Sequence, residues 1–130
     1  MSLNDPLSNV LSQINIYERE GKKELITKSN SKLIRKALSI MQDYKYIGGL
    51  EEIKDAKGDL LKINLIGSIN KTGVVKPRFS VKKDGFEKFE KRFLPAKDFG
   101  ILIISTPHGM TTNVEAKKKG IGGKLIGYCY

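Results

Sequence analysis

Residues 100–130 read G-I-L-I-I-S-T-P-H-G-M-T-T-N-V-E-A-K-K-K-G-I-G-G-K-L-I-G-Y-C-Y. An apolar run, Ile101 to Ile104, ends in the hydroxyl residues Ser105 and Thr106. A turn at Pro107-His108-Gly109 follows. A short segment of helical character then opens with Thr111, Thr112 and Asn113, and Gly120, Gly122 and Gly123 lead into a last apolar strand. The order is strand, exposed hydroxyl turn, helix N-terminus, glycine turn, strand. It aims small hydrogen-bonding side chains and unpaired backbone N–H donors at one patch of surface, which suits a phosphate or a base edge.

Upstream of this stretch, residues 67–80 are irregular and basic, broken by Gly67, Gly73 and Pro77. Val74-Val75 and Phe79-Ser80-Val81 are expected to pair as short strands. A turn of helix is predicted over Phe86 to Lys91, anchored by Phe86, Phe89 and Phe93. With strands at 99–105 and 124–129 and a helix near 113–119, the second half reads as mostly antiparallel β with short helices.

The first half reads α-β-α-β-β. Asp5 as N-cap and Pro6 in the first turn start a helix with an apolar face of Leu7, Val10, Leu11 and Ile14. Gly21 lies beyond its end, and Glu24 to Lys28 reads as a strand. Asn30 or Ser31 caps a second helix with Leu33, Ala37, Leu38 and Met41 on its apolar face. It runs out near Tyr46, before Gly48-Gly49. Leu50 to Asp55 and Leu60 to Ile66 form a hairpin through Ala56-Lys57-Gly58. The fold class is α+β in two small lobes, residues 1–66 and 67–130.

The 130 residues carry 24 Lys+Arg against 14 Asp+Glu, a net charge of +10 that implies a polyanionic partner, nucleic acid above others. The charge is concentrated. Residues 19–36 hold seven basic and two acidic side chains, residues 68–97 nine and three, and residues 100–130 four and one. Residues 43–59 run the other way, with five acidic and three basic, so one face is expected to avoid the polyanion. No apolar stretch is long enough to span a bilayer, and residues 1–20 lack the layout of a signal peptide. The single Cys129 excludes an internal disulfide and fits a reducing cytoplasm.

Catalytic chemistry finds little footing. His108 has no identifiable nucleophile or carboxylate companion, and one histidine with one cysteine cannot make a four-ligand zinc site. No metal and no cofactor is expected. Glu51-Glu52 and Asp55-Asp59 read as solubilising charge. Gly120-Ile121-Gly122-Gly123 has the composition of a nucleotide-binding loop but not the strand-loop-helix order, and reads as a helix C-cap and tight turn.

The same C-terminal segment resembles the signature of ribosomal protein eight of the small subunit. That signature has a glycine, an apolar pair, Ser-Thr, two variable residues, a glycine, two apolar residues and a later alanine. Here these are Gly100, Ile103-Ile104, Ser105-Thr106, Gly109, Met110 with Thr111, and Ala116. Thr111 stands where the second apolar residue usually sits, and Pro107 where many members carry a third hydroxyl. The opening N-D-P-L, Ser31-Lys32-Leu33 and Tyr46-Ile47-Gly48 also resemble the family. Ile69-Asn70-Lys71, Lys76-Pro77-Arg78-Phe79 and Phe93-Leu94-Pro95 resemble its archaeal and eukaryotic branch.

The resemblance implies a cytoplasmic, ribosomal, non-enzymatic protein that binds an irregular helical site in the central domain of small-subunit ribosomal RNA and supports assembly. It implies Ser105, Thr106, Pro107, His108, Gly109 and Met110 as the principal RNA contacts. RNA duplexes hide their major groove, so small hydroxyls and a close-approaching glycine suit the minor groove and its 2′-hydroxyls. The helix near 113–119 is expected to be capped by Thr112 or Asn113, which favours an anion, and Thr112, Lys118, Lys124 and the compact Gly122-Gly123 are further candidates. Asn4, Asp5, Lys28, Ser31 and Lys32 form a second zone, although Asp5 and Ser31 are more economically read as helix caps. Tyr128 and Tyr130 read first as core packing and second as base-stacking groups. Neighbouring small-subunit ribosomal proteins are expected partners, with a monomer outside the ribosome and no membrane contact. Repression of its own message by RNA mimicry is permitted by the family. The rival function is a small enzyme acting on a nucleotide or tRNA, with the glycine turn as phosphate site.

Overall fold

The structure, a computed structural model, describes residues 6–28, 31–55, 58–76, 78–96 and 99–130. The expectations placed on Asn4, Asp5, Asn30, Ala56, Lys57 and Pro77 lie outside them. Among the described residues the order is α1 (Pro6–Arg19), β1 (Glu24–Thr27), α2 (Lys32–Asp43), β2 (Ile47–Asp55), β3 (Gly58–Leu65), β4 (Thr72–Val74), β5 (Ser80–Val81), α3 (Phe86–Phe93), β6 (Ile101–Thr106), β7 (Gly109–Thr112), α4 (Asn113–Lys119) and β8 (Gly123–Cys129). The chain is α+β, with antiparallel sheets. It divides into two compact units, Met1–Thr72 and Gly73–Tyr130.

In the first unit, β3 is the centre of a sheet ordered β1-β3-β2. Leu7, Val10, Leu11 and Ile14 of α1 and Ile34, Ala37, Leu38 and Met41 of α2 are all buried, as are Leu25, Leu61 and Ile63. Ile34 takes the core position expected of Leu33, because it is in step with Ala37, Leu38 and Met41 at helical spacing. Strand β2 starts at Ile47 rather than Leu50. Tyr44 ends α2, Lys45 adopts φ 64 to turn the chain, and the Gly48-Gly49 pair lies in a register shift between Ile47 and Leu50. Residues 69–72, expected to open the second lobe, are held by α1. Glu18 Oε2 accepts Ile69 N–H at 3.0 Å, and the Asn15 side chain bonds both the N–H and the carbonyl of Thr72.

In the second unit the sheet runs β4-β8-β6-β7, with β5 also on β8. The expected pairing of Val74-Val75 with Phe79–Val81 does not occur. Both segments line β8 instead: Val75 N–H donates to Ile126 and Leu125 N–H to Phe79, each at 2.8 Å. An apolar strand with one edge filled by β6 offers its whole other edge, and two short segments satisfy it end to end. Leu102, Ile104 and Leu125 form one core with Phe86 and Phe89 of α3 and Ala116 of α4, against which Phe93, Tyr128 and Tyr130 pack. The segment after the Pro107 turn, expected to be helical from Thr111, is strand β7 as far as Thr112. The two-residue loop returns the chain directly alongside β6, and the β-branched Thr111 and Thr112 suit a strand.

Candidate functional site

Thr106 pairs with Gly109 across a loop of two residues, Pro107 and His108. Proline fixes its own φ near −65°. Lys45 is the sole non-glycine residue with positive φ among those described, so His108 is not left-handed either. Turns of types I′, II and II′ all need a positive φ in the loop, which leaves Gly109, at φ 115, to supply it one residue later. The Thr106 hydroxyl locks the turn, donating to the Gly109 carbonyl and accepting the His108 N–H. Pro107, His108 and Gly109 are exposed, and no Cβ clash would keep a partner from the open Gly109 backbone.

Behind the turn, sheet register builds a row that no linear motif displays. Ser80 of β5 pairs with Lys124 of β8, Lys124 with Ser105 of β6, and Ser105 with Met110 of β7. Paired residues project from the same face of a sheet, so these four side chains form one line across four strands. Ser80 and Lys124 are exposed, and Ser105 and Met110 half-buried. The hydroxyls of Ser80 and Ser105 and the Lys124 ammonium have no partner among the described residues. The row thus presents two hydroxyls, a cation and a soft apolar side chain together. Ser80 was not singled out in the sequence. The signal for it is the register across β8, which single-strand periodicity does not carry.

Gly123 makes the row possible. A Cβ there would collide with the Ser105 carbonyl, and one on Gly122 with the carbonyl of Val81. These glycines are spacers between closely approaching strands. Gly120 is a left-handed C-cap of α4, φ 66, as its sequence implied.

The start of α4 is capped by Thr112, one of the two caps expected, but its first residues are buried. Thr112 is 1 % exposed and Asn113 3 %. Thr112 is the N-cap, its hydroxyl accepting Glu115 N–H at 3.3 Å. Asn113 Oδ1 accepts Leu102 N–H at 2.9 Å, and its Nδ2 donates to Glu90, which also binds Lys117 Nζ at 2.7 Å. This is a packed junction that orients α4, and it takes Thr112 out of the contact set as a positioning residue. Lys118 and Lys119 remain exposed at the helix end, where they favour the dipole.

In the first unit, Ser31 is the N-cap of α2, accepting Ile34 N–H at 3.3 Å, and Lys32 begins the helix. Both are exposed. Among the described residues no group of three or more His, Cys, Asp or Glu could hold a metal ion, and no helix is long and apolar enough to cross a membrane.

The Ser105–Met110 stretch of this row and hairpin is where the earlier resemblance placed its principal contacts. The family model of ribosomal protein S8 matches residues 5–130. The chain belongs to the ribosomal protein S8 family. S8 proteins are structural constituents of the small ribosomal subunit rather than enzymes, and binding of ribosomal RNA is typical of them. Of the two departures from the family pattern, Thr111 is half-buried opposite Ile104 on β7, and Pro107 is the first loop residue.

Proposed function

We propose that this S8 chain clamps an irregular helical site in the central domain of small-subunit ribosomal RNA and, by fixing its shape, supports later steps of subunit assembly. The single observation that carries the reading is the row Ser80, Lys124, Ser105 and Met110 beside the locked hairpin Thr106–Gly109. Serine hydroxyls both donate and accept, matching 2′-hydroxyls and base edges in a shallow minor groove. Lys124 neutralises phosphate, Met110 offers an adaptable apolar contact, and the Gly109 backbone admits close approach. Lys118 adds phosphate contact at the far end of α4. Ser31 and Lys32 form a separate contact of the first unit, with Lys32 toward phosphate. Asn4 and Asp5 belong to that second contact on the strength of the family resemblance alone.

Outside the ribosome the protein acts as a monomer without membrane contact, and within it neighbouring small-subunit proteins complete its surroundings. The rival reading, an enzyme with a glycine phosphate loop, is set aside because the S8 family is one of structural ribosomal proteins.

A filter-binding titration against fragments of the central domain tests this. With roughly four to six phosphates contacted, raising salt from about 50 to about 200 mM should weaken binding on the order of a hundred-fold. A flat salt dependence, or equal affinity for an unrelated regular duplex, would refute the proposal.

A further inference from the structure

The side chains of α3 are sorted by flank. At about 100° per residue, Lys88 and Arg92 lie on one side of the apolar stripe Phe86, Phe89 and Phe93, while Glu87 and Glu90 lie on the other. The acidic flank is engaged: Glu87 pairs with Lys91 at 3.5 Å, and Glu90 holds Asn113 and Lys117. The cationic flank has no acidic partner among the described residues. It lies on aromatic rings instead. The Arg92 guanidinium is 5.2 Å from the centre of Phe79 and 5.3 Å from that of Phe93, and Lys88 Nζ is 5.9 Å from Phe89.

The rings continue along β8. Phe93 stacks on Tyr128 at 5.8 Å and Tyr128 on Tyr130 at 6.2 Å, with interplanar angles of 20° and 22°. Phe99 ends the row against Tyr130 at 6.4 Å and is 48 % exposed. Phe79, Phe93, Tyr128 and Tyr130 are half-buried, so each ring serves the core with one part and shows another. Core packing accounts for the buried parts. It does not account for cations kept without acids at the rim of exposed π surface.

We infer that this strip is a second RNA-contacting surface, a stacking platform for unpaired bases whose phosphates are met by Lys88, Arg92 and the exposed Arg78. Stacking on aromatic side chains beside a cationic rim is the chemistry of single-strand binding, tolerant of sequence because every base has a π face. A protein segment would also use the apolar surface but would leave the unpaired cations unused, unless it were acidic. The inference rests on the RNA-binding reading of the chain but uses none of the residues of the Ser105 row.

The test is fluorescence anisotropy of the full chain with labelled oligouridylate and oligoadenylate of about ten nucleotides, within the site size of such platforms. Phe99→Ala and Arg92→Gln should each weaken both oligonucleotides about five-fold or more, the scale of one lost base stack. Phe99→Tyr should bind like the parent. Circular dichroism confirms that each variant is folded. Parental affinity in both folded strip variants would overturn the inference, as would equal binding of inorganic polyphosphate, which has charge but no bases. An acidic peptide displacing the oligonucleotides at equal affinity would assign the strip to a protein instead. Loss of central-domain RNA binding in the parent, with oligonucleotide binding kept, would sink the Ser105 row while the strip stood.

Discussion

Thr106 and Gly109 are joined twice, as a strand pair and through the Thr106 hydroxyl, which donates to the Gly109 carbonyl at 2.7 Å. The same oxygen accepts His108 N–H at 3.1 Å, so its proton and one of its two lone pairs are used within the turn. Its neighbour Ser105 has no such partner among the described residues. Two adjacent hydroxyls thus have different duties, one holding the hairpin in shape and the other available to RNA.

That division separates two substitutions. Ser105→Ala should weaken RNA binding by about 1–2 kcal/mol, the scale of a hydrogen bond left without its partner, with little change in stability. Thr106→Val should weaken binding by a similar amount, but with an accompanying loss of stability from the opened turn. Urea denaturation beside filter binding distinguishes them. Two variants that bind as the parent does would make the turn purely structural.

Gly123→Ala tests the strand spacing that sets the row. Its Cβ would meet the Ser105 carbonyl and lie 2.8 Å from Ile104 Cγ2, and backbone cannot yield as a flexible side chain can. The expected cost is about 1–3 kcal/mol of stability, with RNA affinity falling as the Lys124–Ser105 register shifts. Unchanged stability in a thermal melt would show that the strands part easily.

Asn113→Ala should be among the more damaging single changes in the second unit. It leaves the buried N–H of Leu102 without its acceptor and frees Glu90 from one of its two partners. An unpaired buried donor costs about 1–3 kcal/mol, so the midpoint of urea unfolding should fall accordingly. RNA affinity should hold for the protein that remains folded, because Asn113 is buried and offers RNA no contact of its own. A variant as stable as the parent would show that water or a neighbouring group satisfies Leu102.

The legible parts of this chain are those with local causes. Apolar spacing located α1, caps located the starts of α2 and α4, Gly120 located the end of α4, and the hydroxyl turn was plain from Ser105 to Gly109, whereas α2 ends at Tyr44, short of Tyr46. The missed parts depend on partners distant in sequence. Ser80 joins the row because β8 places Lys124 between it and Ser105. Thr112 and Asn113 read as a cap offered to an anion, yet Asn113 bonds Leu102 and Glu90, remote in sequence, and both residues are buried. Strand β7 has only four residues, too few to show alternation, and its existence follows from the two-residue loop before it.

Pro107 is the residue whose departure from the family pattern bears most directly on binding. Without a hydroxyl or backbone N–H it can donate nothing to RNA. It nevertheless occupies the first loop position, where its fixed φ suits a turn without left-handed central residues, and it keeps Thr106 extended. A turn already locked by the Thr106 hydroxyl gains a further restraint and loses less entropy on binding. Pro107→Ser would restore a donor while releasing that restraint, and each effect is worth about 0.5–1 kcal/mol. The two oppose each other, so affinity for central-domain RNA should change by less than about 1 kcal/mol, with stability slightly reduced. Isothermal titration should show the substitution as a more favourable enthalpy offset by entropy. A gain of several kcal/mol would mean that the parent lacks a principal contact and that the row, not the turn, carries its RNA binding.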